Sequence, residues 1–222
     1  MNLRKLFIVG ILGFWTASAA SGLEAQSPRK ATAQREISAT NRARIVIHAF
    51  VKCIVDKKQS RALAYVNAKY DRPTSDAKTD RRKMISGVPC MFPGKLELPT
   101  FLLRGELFRI LYLQQKTANP LTERPVDYKM YVIDPHAPAS VEYLSLMDLA
   151  GCVVRTNVDA ARAYVVSAPG SVTETDAMAA LQPLLSACFP TGAAIKLNKP
   201  LLTAILSEAL YREHGIGVEG LH

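Results

Sequence analysis

The sequence of this chain repeats itself once, at an offset of 99 positions. Cys53-Ile54-Val55 corresponds to Cys152-Val153-Val154, and a second pair of cysteines, Cys90 and Cys188, corresponds at an offset of 98. Tyrosines and leucines also recur at the same offset, in the pairs Tyr65 and Tyr164, Tyr112 and Tyr211, Leu98 and Leu197, Leu102 and Leu201, Leu103 and Leu202, Leu107 and Leu206, and Leu111 and Leu210. The repeat predicts a fold built from two homologous units, and it does not indicate any chemistry.

The spacing of apolar residues predicts that both units are all-α, with about four helices each. Predicted helices of the first unit cover residues 41–56, 60–69, 75–86 and 102–111; those of the second cover 141–150, 159–166, 171–188 and 201–210. Three end signals accompany them: Ser171 and Glu174 at capping-box spacing, Asn198 as an N-cap, and Gly215 as a stop. Pro183 should kink or interrupt its helix. The repeated tyrosines are interpreted as core residues with hydrogen-bonded hydroxyl groups.

The predicted organisation has five parts: a signal peptide (1–19), a flexible leader (20–40), a first helical unit (41–116), a linker (117–139) and a second helical unit (140–222). The linker is rich in proline and allows an extended piece at Tyr128 to Ile133. A short alternation at residues 96–98, repeated at 195–197, would suit a single β-bridge.

The N-terminus has the features of a secretory signal. Arg4 and Lys5 precede an apolar stretch of ten residues, Leu6 to Trp15, which is too short to span a bilayer. Small residues follow, and cleavage is expected after Ala19, with Ala20 and Ala25 as other candidates. The alternative is an uncleaved membrane anchor. The sequence therefore predicts export, with no stable membrane span after cleavage.

The chain has four cysteines, which allow three pairings of two disulfides. Duplication favours Cys53–Cys90 and Cys152–Cys188, because a unit that once folded alone would contain its own bridge. A zinc site is the first alternative, although zinc ligands usually include close cysteine pairs and the gaps here are wide. Buried free thiols are the second, and an oxidising compartment disfavours them.

The charge is divided unevenly along the chain. Residues 26–124 contain 20 Lys and Arg against 8 Asp and Glu, whereas residues 125–222 contain 6 against 10. A basic cluster in the first unit is therefore a candidate polyanion site: Lys57, Lys58, Arg81, Arg82 and Lys83. Neither aromatic platforms nor a known nucleic-acid module accompany it, so the expected polyanion is an envelope polymer or a lipid headgroup rather than nucleic acid. The simpler interpretation is a solvated basic face.

No catalytic motif is found, and no catalytic, cofactor or metal residue is assigned. His48 lies in an apolar helix and is interpreted as a core histidine rather than a base. Glu106 with Arg109, and Glu208 with Arg212, have the spacing of ordinary ion pairs on a helix surface.

Four short segments of the second unit resemble uncharacterised secreted proteins of alphaproteobacteria that contain such units in tandem. These segments are Cys152-Val-Val, Ala161-Arg-Ala-Tyr-Val, Cys188-Phe-Pro-x-Gly and Leu206-Ser-Glu-Ala-Leu-Tyr-Arg. The resemblance covers both units and is better in the second, since Arg109 stands where Glu208 would be expected. It implies a Gram-negative periplasm and brings no activity with it.

Taken together, these patterns predict a periplasmic or secreted, non-enzymatic envelope protein that binds an unidentified partner or ligand. One alternative is a hydrolase or transferase with a site between the units. Another is a polyanion-binding module that uses the basic first unit.

Overall fold

The computed structural model describes residues 28–90, 98–115, 120–189 and 196–215, with side chains from residue 39 onwards. Within these ranges the chain is all-helical and contains seven α-helices and no strand, as the sequence predicts. The helices are α1 (Pro28–Asn67), α2 (Thr74–Ile85), α3 (Thr100–Leu113), α4 (Pro138–Thr156), α5 (Val158–Val166), α6 (Val172–Cys188) and α7 (Lys199–Glu213). A short 3-10 helix covers Tyr128–Tyr131.

The first half of the chain (α1 to α3) and the second half (α4 to α7) contain similar elements in the same order. α1 has a break at Lys58, where φ is −142° and ψ is 49°. The position 99 residues later is Asn157, the single residue between α4 and α5, where φ is −155° and ψ is 90°. The Asn157 side chain accepts a hydrogen bond from the Ala160 amide and so caps α5. Both predicted boundaries between first and second helices are therefore present.

Two disulfides join Cys53 to Cys90 and Cys152 to Cys188, one in each half, with Cα–Cα distances of 5.7 and 5.8 Å. This is the predicted pairing. It leaves no free cysteine, so the zinc and free-thiol alternatives are wrong.

The second-half helix α7 lies at the centre of the fold. It packs against α3, α4 and α5, and its residues from Leu202 onwards are buried through Glu213. Asn198 caps its start by accepting from the Leu201 amide at 2.9 Å, and Gly215 ends it with a φ of +65°, which favours glycine. Both end signals of α7 are confirmed.

α3 and α7 run side by side in the same direction, because successive positions meet in order along both helices. The Phe108 and Tyr211 rings lie 5.2 Å apart, and those of Tyr112 and His214 lie 5.7 Å apart. At the closest approach, a Cβ placed on Gly105 would lie only 2.2 Å from the Ala204 Cβ. Glycine at this position is what allows the two helices to touch.

Two local predictions are wrong in part. The linker is not extended over Tyr128–Tyr131, because Asp127 accepts from the Lys129 amide and begins the 3-10 helix there; the backbone is extended only from Val132. The interruption predicted as one of two outcomes at Pro183 is absent, because α6 continues through it to Cys188; a kink stays a prediction. The Ser171 cap is confirmed, with its Oγ accepting from the Glu174 amide at 3.1 Å.

The repeated tyrosines Tyr65, Tyr112, Tyr164 and Tyr211 are buried, as predicted, but the Tyr65 hydroxyl has no hydrogen-bond partner among the described residues, so that part of the prediction is wrong for Tyr65. The Tyr112 hydroxyl accepts from Arg162 Nε at 2.8 Å, and the Tyr164 hydroxyl donates to the Lys199 carbonyl at 3.4 Å.

The remaining predictions concern parts that are only partly described. α1 begins at Pro28, inside the predicted leader. The signal peptide and its cleavage positions lie outside the described residues, as do residues 96–97 and 195 of the two short alternations.

Candidate functional site

A cavity of about 220 Å³ lies between α3, α4 and α7, and we call it the α4-side cavity. Its walls are mostly apolar, with a few polar groups at one end, an arrangement typical of small-molecule sites. The lining residues are Tyr70, Phe101, Arg104, Gly105, Glu142, Tyr143, Leu146, Met147, Leu201, Ala204, Ile205 and Glu208.

Glu208 of α7 is the buried carboxylate of this cavity, and both of its oxygens have hydrogen-bond partners. Oε1 accepts from the Tyr143 hydroxyl at 2.8 Å and from Arg212 Nε at 2.9 Å. Arg104 Nη2 lies 3.2 Å from the same oxygen, and Arg104 Nε lies 3.4 Å from Oε2. Burial raises the pKa of Glu208, but Arg104 and Arg212 outweigh burial and hold it below its usual value. Glu208 is therefore ionised at neutral pH.

The two arginines also complete the end of α1. Arg104 Nη1 donates to the Ala68 carbonyl at 3.2 Å, and Arg212 Nη2 donates to the Val66 carbonyl at 3.4 Å. The last carbonyls of a helix have no partner within the helix, and cations there interact favourably with its dipole. The guanidinium of Arg212 also lies 3.3 Å from the Tyr131 ring centroid and 4.9 Å from that of Phe108.

Tyr143 forms the polar corner of the cavity. Its ring stacks on Tyr70, with centroids 4.2 Å apart and planes at 17°. Burial, reinforced by the charge of Glu208, raises the pKa of Tyr143 far above its usual value, so the hydroxyl remains protonated and acts as a donor.

A second buried carboxylate, Glu213, attaches the linker to α7. Its Oε2 pairs with Arg155 Nη2 at 2.6 Å, and its Oε1 accepts from the Tyr128 hydroxyl at 3.2 Å. Burial raises the pKa of Tyr128, and Glu213 adds to this rise. This group is structural, because none of its members lines the α4-side cavity.

A second cavity, of about 190 Å³, lies between α1, α3 and α7, and we call it the α1-side cavity. The lining residues are Thr40, Ala43, Arg44, Ile47, Leu102, Glu106, Arg109, Pro169, Pro200, Thr203 and Ala204. Beside it, Glu106 Oε1 lies 2.6 Å from His48 Nδ1 and 3.3 Å from Arg109 Nη1. Arg109 Nε and Nη2 donate to the Val165 and Ser167 carbonyls at the end of α5, at 2.7 and 2.8 Å.

The two cavities occupy corresponding places in the two halves. Most residues that line one cavity have a counterpart 99 positions away in the chain, and that counterpart lines the other cavity. The matched pairs are Tyr70 and Pro169, Phe101 and Pro200, Arg104 and Thr203, Gly105 and Ala204, Glu142 and Ala43, Tyr143 and Arg44, Leu146 and Ile47, Leu201 and Leu102, Ile205 and Glu106, and Glu208 and Arg109. The positions correspond, but the charges do not, since Glu208 faces one cavity where Arg109 faces the other.

The prediction that Glu106, Arg109, Glu208 and Arg212 form surface pairs is wrong. Arg109, Glu208 and Arg212 are only 4–5% exposed, and the Glu106 side chain is 11% exposed. They are buried because other helices cover α3 and α7 on several sides. His48 is not a core residue either, since its side chain is 30% exposed, although it is paired with Glu106 as described above.

The five residues of the basic cluster differ in exposure and in what their side chains contact. Lys58 Nζ donates to the Lys83 carbonyl at 3.2 Å, and Arg81 Nη1 donates to the Leu98 carbonyl at 3.0 Å. Lys57, Arg82 and Lys83 are exposed. An open depression of about 420 Å³ beside α2 is lined by Lys78, Arg81, Arg82, Ile85 and Ser86.

Among the described residues, no group of three or more His, Cys, Asp or Glu side chains is placed to hold a metal ion. No helix in these ranges is long and apolar enough to cross a membrane. Two disulfides fit a protein outside the cytoplasm. Compared with protein-family models, curated proteins and solved structures, the chain finds no match.

Proposed function

We propose that this protein is an exported, non-enzymatic envelope protein that binds a small, mostly apolar molecule in the α4-side cavity. The observation that supports this most is the make-up of that cavity, in which apolar walls meet one polar end. Export is supported by the signal-like N-terminus and by the two disulfides.

Size and lining determine the class of ligand. A cavity of about 220 Å³ suits a single ring or a short chain; for comparison, an apolar cavity of about 150 Å³ binds benzene. Phe101, Leu146 and Ile205 provide apolar walls for such a body. The Tyr143 hydroxyl donates its proton to Glu208, so its oxygen can accept a hydrogen bond from one polar substituent.

Binding is favoured over catalysis because Glu208 and Tyr143, the buried carboxylate and phenol of the cavity, are each held in one protonation state. The lowered pKa of Glu208 keeps it ionised, and its oxygens already accept from two arginines and a tyrosine. The raised pKa of Tyr143 keeps it protonated. A general acid or base works best with a pKa near the working pH, and neither group meets that condition. This argues against the hydrolase or transferase alternative.

The test uses p-cresol as a probe, because it combines one ring with one hydroxyl group. We expect methyl NMR signals of Leu146, Leu201 and Ile205 to shift on titration, while those of Ile47 and Leu102 stay in place. Leu146→Phe should fill the cavity and weaken p-cresol binding at least tenfold. Ile47→Phe, at the corresponding position of the other cavity, is the matched control and should leave p-cresol binding unchanged.

A native mass spectrum of protein purified from its own host, without reductant, gives a second readout. A small organic adduct that is lost in Leu146→Phe and kept in Ile47→Phe would support the proposal. No adduct, together with no methyl shifts at saturating p-cresol, would reject it.

A second candidate is polyanion binding along α2, favoured by the depression that Lys78, Arg81 and Arg82 line. Arg82→Ala with Lys83→Ala removes two exposed charges and leaves the Arg81 and Lys58 contacts intact. We expect this variant to elute from a heparin column at lower salt than the wild type. Lys129→Ala with Lys196→Ala is the control of equal charge, and equal elution of the two variants would exclude a specific site.

A further inference from the structure

We infer that the α1-side cavity is a second binding site, and that it binds a small organic carboxylate with an apolar tail. This site lies on the other side of the α3–α7 contact from the α4-side cavity, and the inference does not depend on the function proposed for that cavity.

The first support is a buried hydrogen-bond donor of Arg44 that has no partner among the described residues. Arg44 lines the cavity, and its side chain is only 10% exposed. Its Nη2 pairs with Glu174 and lies 3.4 Å from Thr203 Oγ1. Its Nη1 is buried and has no hydrogen-bond partner among the described residues. A buried donor of a charged group that lacks a partner is costly. A carboxylate that enters beside Arg44 could accept from this nitrogen once the guanidinium turns towards it.

The second support is the charge balance around the cavity. Three cations, Arg44, Arg109 and Lys199, are arranged around two carboxylates, Glu106 and Glu174. One anion would therefore complete the balance, and in a partly buried site opposite charges attract more strongly than in water.

The third support is the contrast with the α4-side cavity. Arg44 stands where Tyr143 stands in the other half, and Arg109 stands where Glu208 stands. The corresponding places thus hold two guanidinium groups here, and a phenol with a carboxylate there. The two cavities should accordingly differ in ligand class, anionic on the α1 side and neutral on the α4 side.

The apolar part of the ligand is indicated by the remaining walls. Ile47, Leu102, Pro169 and Pro200 provide apolar parts of the lining. Its volume of about 190 Å³ suits a ring or a short acyl chain beside the carboxylate.

The experiment titrates the purified protein, with both disulfides formed, with sodium benzoate and separately with benzamide. The two probes have nearly the same shape and differ in charge. We expect benzoate to shift the methyl signals of Ile47 and Leu102, and to bind at least tenfold more tightly than benzamide. The methyl signals of Leu146 and Leu201 in the other cavity should stay in place.

Two variants locate the binding. Arg44→Gln removes the charge and should weaken benzoate binding at least tenfold, bringing it close to that of benzamide. Ile47→Phe fills the cavity without touching an ion pair, so it should also abolish benzoate binding if Arg44→Gln fails to fold. Leu146→Phe is the matched control and should bind benzoate as the wild type does. Equal binding of benzoate and benzamide, unchanged benzoate binding in Ile47→Phe, or no benzoate binding at all would overturn the inference.

Discussion

Gly105 of α3 and Ala204 of α7 lie against each other at the closest approach of these helices, and they are 99 positions apart in the chain. They are thus corresponding positions of the repeat. Corresponding positions meet each other where a two-fold axis passes between two like parts. This contact, together with the corresponding cavities on its two sides, supports the interpretation that the halves arose by duplication.

The contact predicts that Gly105→Ala destabilises the protein. Alanine normally gains about 1 kcal/mol over glycine inside a helix. Here its Cβ would lie 2.2 Å from that of Ala204, so the helices must separate, at a cost of roughly 1–3 kcal/mol. Urea unfolding should show a net loss. The exchanged double variant, Gly105→Ala with Ala204→Gly, should recover most of it, and a single variant more stable than the wild type would contradict the packing described here.

Removing the Glu208 carboxylate should be more damaging. Glu208→Ala leaves Arg104 and Arg212 buried without their shared anion, and breaking a buried pair in this way costs about 3–5 kcal/mol. Glu142→Ala, which removes an exposed carboxylate at the same cavity, should cost much less. The measurement is the free energy of unfolding in urea, and equal losses in the two variants would show that Glu208 is not the partner of both arginines.

Stability should fall in acid. The pKa of Glu174 is lowered in the folded state, because Arg44, the Gly170 amide and Lys199 outweigh the effect of burial. A carboxylate with a lowered folded-state pKa stabilises the fold above its unfolded pKa of about 4.3, and this stabilisation disappears as the pH falls through the folded-state pKa. Unfolding measured between about pH 6 and pH 3 should show a steep loss, and Glu174→Gln should flatten it. Equal slopes for variant and wild type would contradict the shift.

The two disulfides should contribute similarly. Their sequence separations are 37 and 36 residues, and closing loops of this length contributes roughly 3–4 kcal/mol each on an entropic account. Cys53→Ser with Cys90→Ser, and Cys152→Ser with Cys188→Ser, should therefore lower the free energy of unfolding by comparable amounts. A large difference between the two double variants would mean that native-state contacts rather than loop length decide the contribution.

The cap of α6 offers a smaller and cleaner test. Ser171→Ala removes the acceptor for the Glu174 amide and should cost about 1 kcal/mol. Ser186→Ala is the control, because Ser186 lies inside the same helix and its hydroxyl only donates to the Gln182 carbonyl. Thermal unfolding should separate the two variants, and equal melting temperatures would show that the cap contributes nothing.

Local signals in the sequence predicted most of the fold. Ser171, Asn198 and Gly215 act within one helical turn, so neighbouring residues are sufficient to recognise them. The disulfide pairing followed from the repeat. The 3-10 helix at Tyr128–Tyr131 was not predicted, because Pro-rich segments allow several conformations. Here the conformation is determined by Asp127 and by contacts with the distant residues Arg212 and Glu213.

The cavities could not be predicted in the same way, because they depend on which helix faces are covered. Glu208 and Arg212 have the spacing of a solvent-exposed pair, and nothing in that spacing tells how many neighbours surround α7. One available signal was the coincidence of small residues, Gly105 and Ala204, at corresponding positions of the leucine-rich helices. If this coincidence had been interpreted as a contact, it would have predicted that α3 packs against α7 and that the flanking charged residues are buried.

The arginine contacts across the two halves also bear on how the chain becomes native. Arg109 of the first half completes the end of α5, and Arg212 of the second half reaches the end of α1. Each half therefore supplies hydrogen-bond donors to the end of a helix in the other half, and each half alone would lack these hydrogen bonds. These contacts resemble those between the two subunits of a dimer, although here both halves belong to one polypeptide. A chain cut between the halves should accordingly stay assembled, and the two pieces should fold only in each other's presence.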